Sequence, residues 1–361
     1  MINKNAFITS TMFSRSNGPA NFAMNLYSDQ TTNSCLHFFT PDAIKSDQQL
    51  TKVNLKFAST FKVLAMILAA LDFYIVLRKN NFTTVVWNSS IFPWLSIFML
   101  KKQKHIVFVN DSLSIDAKFE FNYRAIRLLI FKQIEKYNIK NSYKVISNSE
   151  IIKEKIVKKY NINPNKINTL FKGINLNDFN TLKSNFEIDT NKNITVTFVK
   201  SDPVVGGLML LCKSLALLEY KFNLNVIGPS CLNDQYKNFT NIHINLLGKL
   251  KKEDVCKYMV GSDFFMVPCL KEAFGQANIE ALYLQTPTLI LPTEYQKKIH
   301  KSSYCYFTTG YTSEKISESI NYLIKQPSSK REKKAKLAHQ TVLKNYSFDA
   351  TKLKFIEIIN D

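Results

Sequence analysis

Twice along the chain, short apolar runs alternate with segments of helical periodicity, and no other feature restricts the possible folds as much. The first series of β-rich runs is AFITS (Ala6–Ser10), LHFF (Leu36–Phe39), TTVVW (Thr83–Trp87), HIVFV (His105–Val109) and KVIS (Lys144–Ser147). Helical patterns fall between and after them, at Ala20–Tyr27, Thr60–Lys79, Pro93–Lys102, Phe121–Lys136 and Ser149–Tyr160. Runs that are apolar at almost every position, not only at alternate ones, belong to strands buried on both faces, so a parallel sheet covered by helices is expected.

The pattern then restarts with ITVTFV, NLNVIG, IHINLL, DFFMVP and TLIL, interleaved with helices at Leu208–Glu219, Lys252–Val260 and Ala277–Leu284. The stretch separating the two series is polar, Asn-rich and weakly periodic. The expected organisation is a first doubly wound domain over 1–172, a linker over 173–193, a second over 194–346, and a final helix over 347–361. That helix, SFDATKLKFIEIIND, has Ser347 as its cap and is placed back toward the first domain. Ligands of such sheets bind outside the carboxyl ends of the strands, so two domains facing each other would make a cleft for two substrates.

Charge narrows the partners. The chain carries a net charge of +20, and residues 1–180 hold most of the excess, with 24 basic against 11 acidic residues. Such a field attracts anionic headgroups or phosphorylated ligands, and it equally fits dispersed solubilising charge. No nucleic-acid recognition motif accompanies it, so nucleic acid is not an expected partner. The five histidines lack metal-ligand spacing and the six cysteines lack CxxC pairing, so no metal is expected and the thiols read as buried and reduced. MINKNAFITST has no leader-like apolar core. The most membrane-like stretch, FKVLAMILAALDFYIVLRK, is broken by Asp72 and reads as a buried helix, not a span. A cytoplasmic location is expected, with any membrane contact peripheral, on the inner face.

A phosphate-binding loop of the GxGxxG or GxxxxGK[ST] type is absent. A helix N-terminus can replace it, with its unpaired N–H groups and positive dipole end. In KEAFGQANIEALYLQTPTL, after a strand ending at Pro268, Gly275 allows the backbone to turn and approach a ligand without a Cβ. Glu272 lies in the loop and Glu280 about one turn into the helix. An acid near a helix start is stabilising in itself, which accounts for Glu280 alone but not for Glu272. Carboxylates aimed into a cleft accept hydrogen bonds from sugar hydroxyls.

The stretch DFFMVPCLKEAFGQANIEALYLQTPTLI resembles the nucleotide-sugar domain of the retaining group-1 glycosyltransferases, with their Glu–seven residues–Glu motif, internal Phe-Gly and following Thr-Pro. INLLGKLKKEDVCKYMVGSDFF, KVISNSEIIKEKIVKKYNINPNKINTLFKGINLNDF and NGPANFAMNLYS extend the resemblance over most of the chain. It implies the GT-B fold, two Rossmann-like domains facing across a cleft. It also implies metal-independent, retaining transfer of a hexosyl-type sugar from a nucleotide diphosphate donor, with no cofactor. By position, Glu272 would hold donor-sugar hydroxyls and Glu280 the ribose. Main-chain N–H groups around Phe274, Gly275, Gln276 and Ala277 would meet the sugar and diphosphate. The acceptor, a glycan or lipid-linked sugar of bacterial surface polysaccharide, would meet Arg15, Asn17, Gly18 and Asn88. A peripheral contact with anionic membrane could involve Lys101, Lys102 and Lys104, which fit a solvated helix end equally well, while Phe92 and Trp94 read as core.

The chain departs from the family in two places. Val205 and Gly206 stand where relatives carry an Arg and a Lys that neutralise the leaving diphosphate. Lys200 is the first candidate replacement, with Lys172 or Lys249 as further candidates, since lysine is a flexible point charge. Asn110 stands where relatives often carry His; it can bind a sugar hydroxyl but cannot shuttle a proton. The leaving diphosphate could take that proton itself. The alternative is a catalytically weakened protein acting as a non-catalytic partner of another transferase.

Overall fold

The computed structural model describes residues 5–9, 34–38, 62–80, 82–110, 115, 123–171, 173–174, 176, 179, 186–270 and 274–361. The chain divides into two compact units, Met1–Lys172 with Lys352–Asp361, and Gly173–Thr351. The expected helix at 20–27 and part of the expected linker, 175, 177–178 and 180–185, lie outside the described residues.

The first unit holds a six-stranded parallel sheet of β1 (Asn5–Thr9), β2 (Ser34–Phe38), β3 (Thr84–Trp87), β4 (Lys104–Val109), β5 (Lys144–Ser147) and β6 (Ile167–Thr169), in the order β2-β1-β3-β4-β5-β6. Every residue of β3 and five of six in β4 are buried, which is why these runs are continuously apolar. Helices α1 (Lys62–Asn80), α2 (Trp94–Met99), α3 (Tyr123–Asn141) and α4 (Glu150–Tyr160) make the crossovers. One core cluster sets Ala69, Phe73 and Leu77 of α1 against Ile8, Val85 and Trp87; a second joins Ile139, Ile152 and Ile156 to Val109 and Val145. At roughly 1.5–3 kcal/mol for each large side chain buried, these contacts dominate the stability of the unit.

The second sheet comprises β7 (Ile194–Val199), β8 (Phe222–Ile227), β9 (Ile242–Gly248), β10 (Phe264–Met266), β11 (Thr288–Ile290) and β12 (Tyr306–Phe307), all parallel, in the order β12-β11-β10-β7-β8-β9. Its direction of winding reverses between β7 and β10. The helices are α5 (Pro203–Gly206), α6 (Leu208–Ala216), α7 (Lys252–Val260), α8 (Gln276–Tyr283), α9 (Glu294–Ile299), α10 (Ser313–Ile324) and α11 (Ser328–Tyr346). After Ser347 the chain forms α12 (Phe348–Asn360), whose Phe355 packs on Phe108 with ring centroids 6.1 Å apart. At the other end of α12, Tyr143 donates its hydroxyl hydrogen to the Asp361 carbonyl at 2.8 Å, and Lys144 Nζ donates to the Ile358 carbonyl at 3.1 Å.

One expectation is corrected. The apolar stretch over α1 is not buried all round. Ala69, Ala70, Phe73 and Leu77 are buried, but Ile67, Leu68, Leu71 and Ile75 are exposed. Asp72 interrupts the hydropathy of the run, while the 3.6-residue period sends its apolar residues to two faces, only one of which meets the sheet.

Candidate functional site

At the reversal point of the second sheet, a cleft of about 420 Å³ opens on the carboxyl ends of the strands. Lys200 and Ser201 after β7, Gly228 after β8, Lys249 after β9 and Val267 after β10 line it. The first turn of α8 forms another wall, through Gly275, Gln276, Ala277 and Asn278. Gly275 caps the helix at φ 73°, a left-handed conformation that glycine adopts without steric cost. Among the described residues no side chain caps this end, and its first turn, with the positive end of the helix dipole, borders the cleft.

Close packing holds the β7 edge in place. The Lys200 amide donates to the Ile227 carbonyl at 3.0 Å. A Cβ on Gly228 would lie 2.4 Å from the Lys200 carbonyl oxygen, and one on Gly207 equally close to that of Pro268. The short helix α5 is capped by Asp202, whose Oδ1 accepts from the amides of Val204 and Val205 at 2.9 Å. Within it, Gly206 abuts Phe198 and the stem of Lys200, where a Cβ would meet Phe198 Cζ at 2.5 Å. Val205 is about half exposed. The two positions thus offer an apolar side chain and a packing contact, and among the described residues the cations lining the cleft are Lys200 and Lys249.

Glu280 lies in the second turn of α8 and is 5% exposed. Lys252, at the start of α7, forms an ion pair with its Oε1. The same ammonium sits 5.2 Å from the centroid of Phe179, which meets Tyr283 edge-on at 5.0 Å. Glu280 therefore belongs to a side-chain network with Lys252, Phe179 and Tyr283. The Phe274 ring packs toward Tyr346 at 5.9 Å. Sequence reasoning missed Asn278. It is 4% exposed, its Nδ2 donates to Gln296 Oε1 at 3.4 Å, and its Oδ1 has no partner among the described residues. An Asn in the first turn of a helix entering an apolar run was the available signal, because its polarity contradicts its buried position.

The first unit gathers three asparagines where β3, β4 and β5 end. Asn110 Nδ2 donates to Asn88 Oδ1 at 3.0 Å, and Asn148 Nδ2 donates to the Asn110 carbonyl at 2.5 Å. The Asn88 amide donates to the Ile8 carbonyl at 2.7 Å, which fixes it beside β1, where this sheet reverses its winding. The side-chain oxygens of Asn110 and Asn148 are buried without partners among the described residues. Asn148 was not anticipated. The loop after β3 is held by buried Glu135, which accepts from the hydroxyls of Ser90 and, at 2.7 Å, Tyr160.

The structure thus brings Lys200, Lys249, Gly275, Gln276 and Ala277 to one cleft, and Asn88 and Asn110 to another sheet edge. Glu272, Arg15, Asn17 and Gly18 lie outside the described residues.

Comparison with known proteins agrees with this architecture. Residues 178–341 match the family model described as glycosyl transferases group 1, which bears out the resemblance to that family. An uncharacterized glycosyltransferase of Methanocaldococcus jannaschii is 27% identical over 159 residues, covering 43% of this chain and 41% of that protein. Among solved structures, Anabaena HepE in complex with UDP and glucose superposes with a TM-score of 0.71 at 13% identity, covering 98% of this chain and 99% of the other. WaaG, a glycosyltransferase involved in lipopolysaccharide biosynthesis, gives 0.69 at 17% identity, covering 98% and 99%. These likenesses show the fold, which is GT-B.

Proposed function

We propose that the protein is a glycosyltransferase that moves a sugar from a nucleotide diphosphate donor to a glycan or lipid-linked acceptor, with retention at the anomeric carbon. The observation that carries this reading is the meeting of a glycine-initiated helix N-terminus with two lysines at the reversal point of the second sheet. The donor diphosphate lies against the first-turn N–H groups of α8. Lys200 and Lys249 neutralise it and stabilise the charge that grows as it leaves. Glu280 accepts from the ribose hydroxyls and Glu272 from those of the donor sugar. In the first unit, Asn110 accepts a hydrogen bond from the acceptor hydroxyl, and the leaving diphosphate takes that hydroxyl's proton. Neither step calls on a metal ion. The fold shared with WaaG supports a role in surface polysaccharide assembly.

A second reading has one observation in its favour. Val205 and Gly206 supply no charge at the position where the family resemblance implies a cation pair, so the domain could bind a donor without turning it over, as a partner of another transferase. Incubation with a panel of nucleotide sugars, read as release of nucleoside diphosphate, separates the two. The enzyme reading requires release from at least one donor. Thermal stabilisation by a nucleotide sugar with no release from any would select the non-catalytic reading.

A further inference from the structure

The exposed residues of α1 form a stripe. Ile67, Leu71 and Ile75 follow at four-residue intervals with Leu68 beside them, each 38–46% exposed. The stripe runs into Arg78 and Lys79 in the last turn. There the turn between α2 and β4 is tied to α1, Gln103 Nε2 donating to the Leu77 carbonyl at 3.5 Å. Phe98 and Met99, 56% and 50% exposed, end α2 just before this turn, and Lys101, Lys102 and Lys104 follow. Phe98, Arg78, Lys101 and Lys102 share one concavity of about 800 Å³ at the amino edge of the sheet, away from the strand ends that carry Asn88 and Asn110. Helix α3, which packs beside α2, adds exposed Ile126 and Ile130. From 62 to 144 the described residues include two carboxylates, Asp72 and Glu135, and Glu135 is buried against Ser90 and Tyr160. Every other charged residue there is Lys or Arg.

An apolar surface of this extent needs a partner. A second copy of the chain does not suit it, because a two-fold contact through this face would bring two net-positive surfaces together. The charge selects an anionic occupant, and the row of aliphatic and aromatic side chains selects one with an apolar interior. We propose that this face of the first unit docks on an anionic bilayer. Ile67, Leu71, Ile75, Phe98 and Met99 enter the headgroup–acyl boundary, and the lysines and Arg78 lie among the phosphates. Among the described residues no helix is long and apolar enough to cross a membrane, which accords with a surface attachment. The proposal stands independently of the glycosyl-transfer reading.

Flotation of the full chain with vesicles tests it. Binding to phosphatidylcholine vesicles containing phosphatidylglycerol is expected, with little binding to phosphatidylcholine alone and weakening as salt rises. A basic residue near an anionic surface contributes roughly fivefold in affinity, so Lys101→Gln with Lys102→Gln should weaken binding about 25-fold. Leu71→Ser with Ile75→Ser should abolish flotation while leaving the melting temperature and circular dichroism unchanged, because both side chains are exposed. Equal binding to neutral vesicles, absence of binding, or binding indifferent to the serine pair would overturn the proposal. So would a dimer in sedimentation velocity that the serine pair converts to monomer, which would give the face to a second copy.

Discussion

Asn278 and Glu280 stand two residues apart on α8 and are both buried, yet they are expected to respond differently to mutation. A buried amide oxygen without a partner costs roughly 1–3 kcal/mol. Asn278→Leu removes that oxygen along with one long hydrogen bond to Gln296, so the melting temperature should hold or rise. If Asn278 faces the donor, the same change should raise the donor KM; an unchanged KM would leave Asn278 a packing residue. Glu280→Gln keeps the shape and a hydrogen-bonding contact for Lys252. It removes the charge that strengthens a bond to a ribose hydroxyl, so donor affinity should fall by roughly tenfold or more. The expected pattern in steady-state kinetics is a raised donor KM with a smaller change in kcat.

At the scale of elements, Arg331 fastens the long helix α11 to the body of the second unit. The residue is 4% exposed, and its guanidinium donates to the carbonyls of Phe186 at 2.9 and 2.6 Å, of Ile324 at 3.2 Å, and of Gln326. Burial lowers its pKa from the ordinary arginine value. Arg331→Met leaves these carbonyls without donors, so a loss of about 3 kcal/mol or more in urea unfolding is expected; a change under about 1 kcal/mol would show that water replaces the guanidinium. Elements whose pattern is internal to the sequence could be read in advance. ITVTFV and KVIS match β7 and β5 to the residue, because strands buried on both faces are apolar throughout. Strands β6 and β12 could not, since Asn168 interrupts the apolar run of the one and the other is two residues long. The polar helix α11 also escaped notice, since a pattern of lysines with sparse small apolar residues looks like solvated chain until Ala335, Ala338 and Val342 are seen buried. The candidate site was readable where backbone chemistry dictates it, as at Gly275 and the helix start. Asn148 was not, because the topology that sets β3, β4 and β5 side by side is a property of the sheet.

The whole molecule should be acid-sensitive for a reason located in each unit. In the first, Trp87 Nε1 donates to His105 Nδ1 at 3.1 Å, so the ring is neutral and its Nε2 faces the Leu100 carbonyl. Burial lowers its pKa to about 4, and burial lowers that of His300 in the second unit to about 3. Both return to about 6.5 on unfolding. The stability that comes from keeping them neutral is complete above about pH 6.5 and is lost as pH falls toward 4, because the unfolded chain takes up protons that the folded chain refuses. A loss of roughly 2 kcal/mol per histidine between pH 7 and 5 is expected in urea unfolding. His105→Gln should remove one such share; an unchanged pH profile would contradict the assignment.

The central claim is that the cleft at the α8 N-terminus holds a nucleotide diphosphate through Lys200 and Lys249. Calorimetric titration with UDP, GDP and ADP, and with the matching nucleosides, tests it directly. The account predicts that one diphosphate binds at least roughly tenfold more tightly than its nucleoside, and that Lys200→Ala with Lys249→Ala abolishes this difference. Equal affinity for diphosphate and nucleoside, or a preference that survives loss of both lysines, would contradict it.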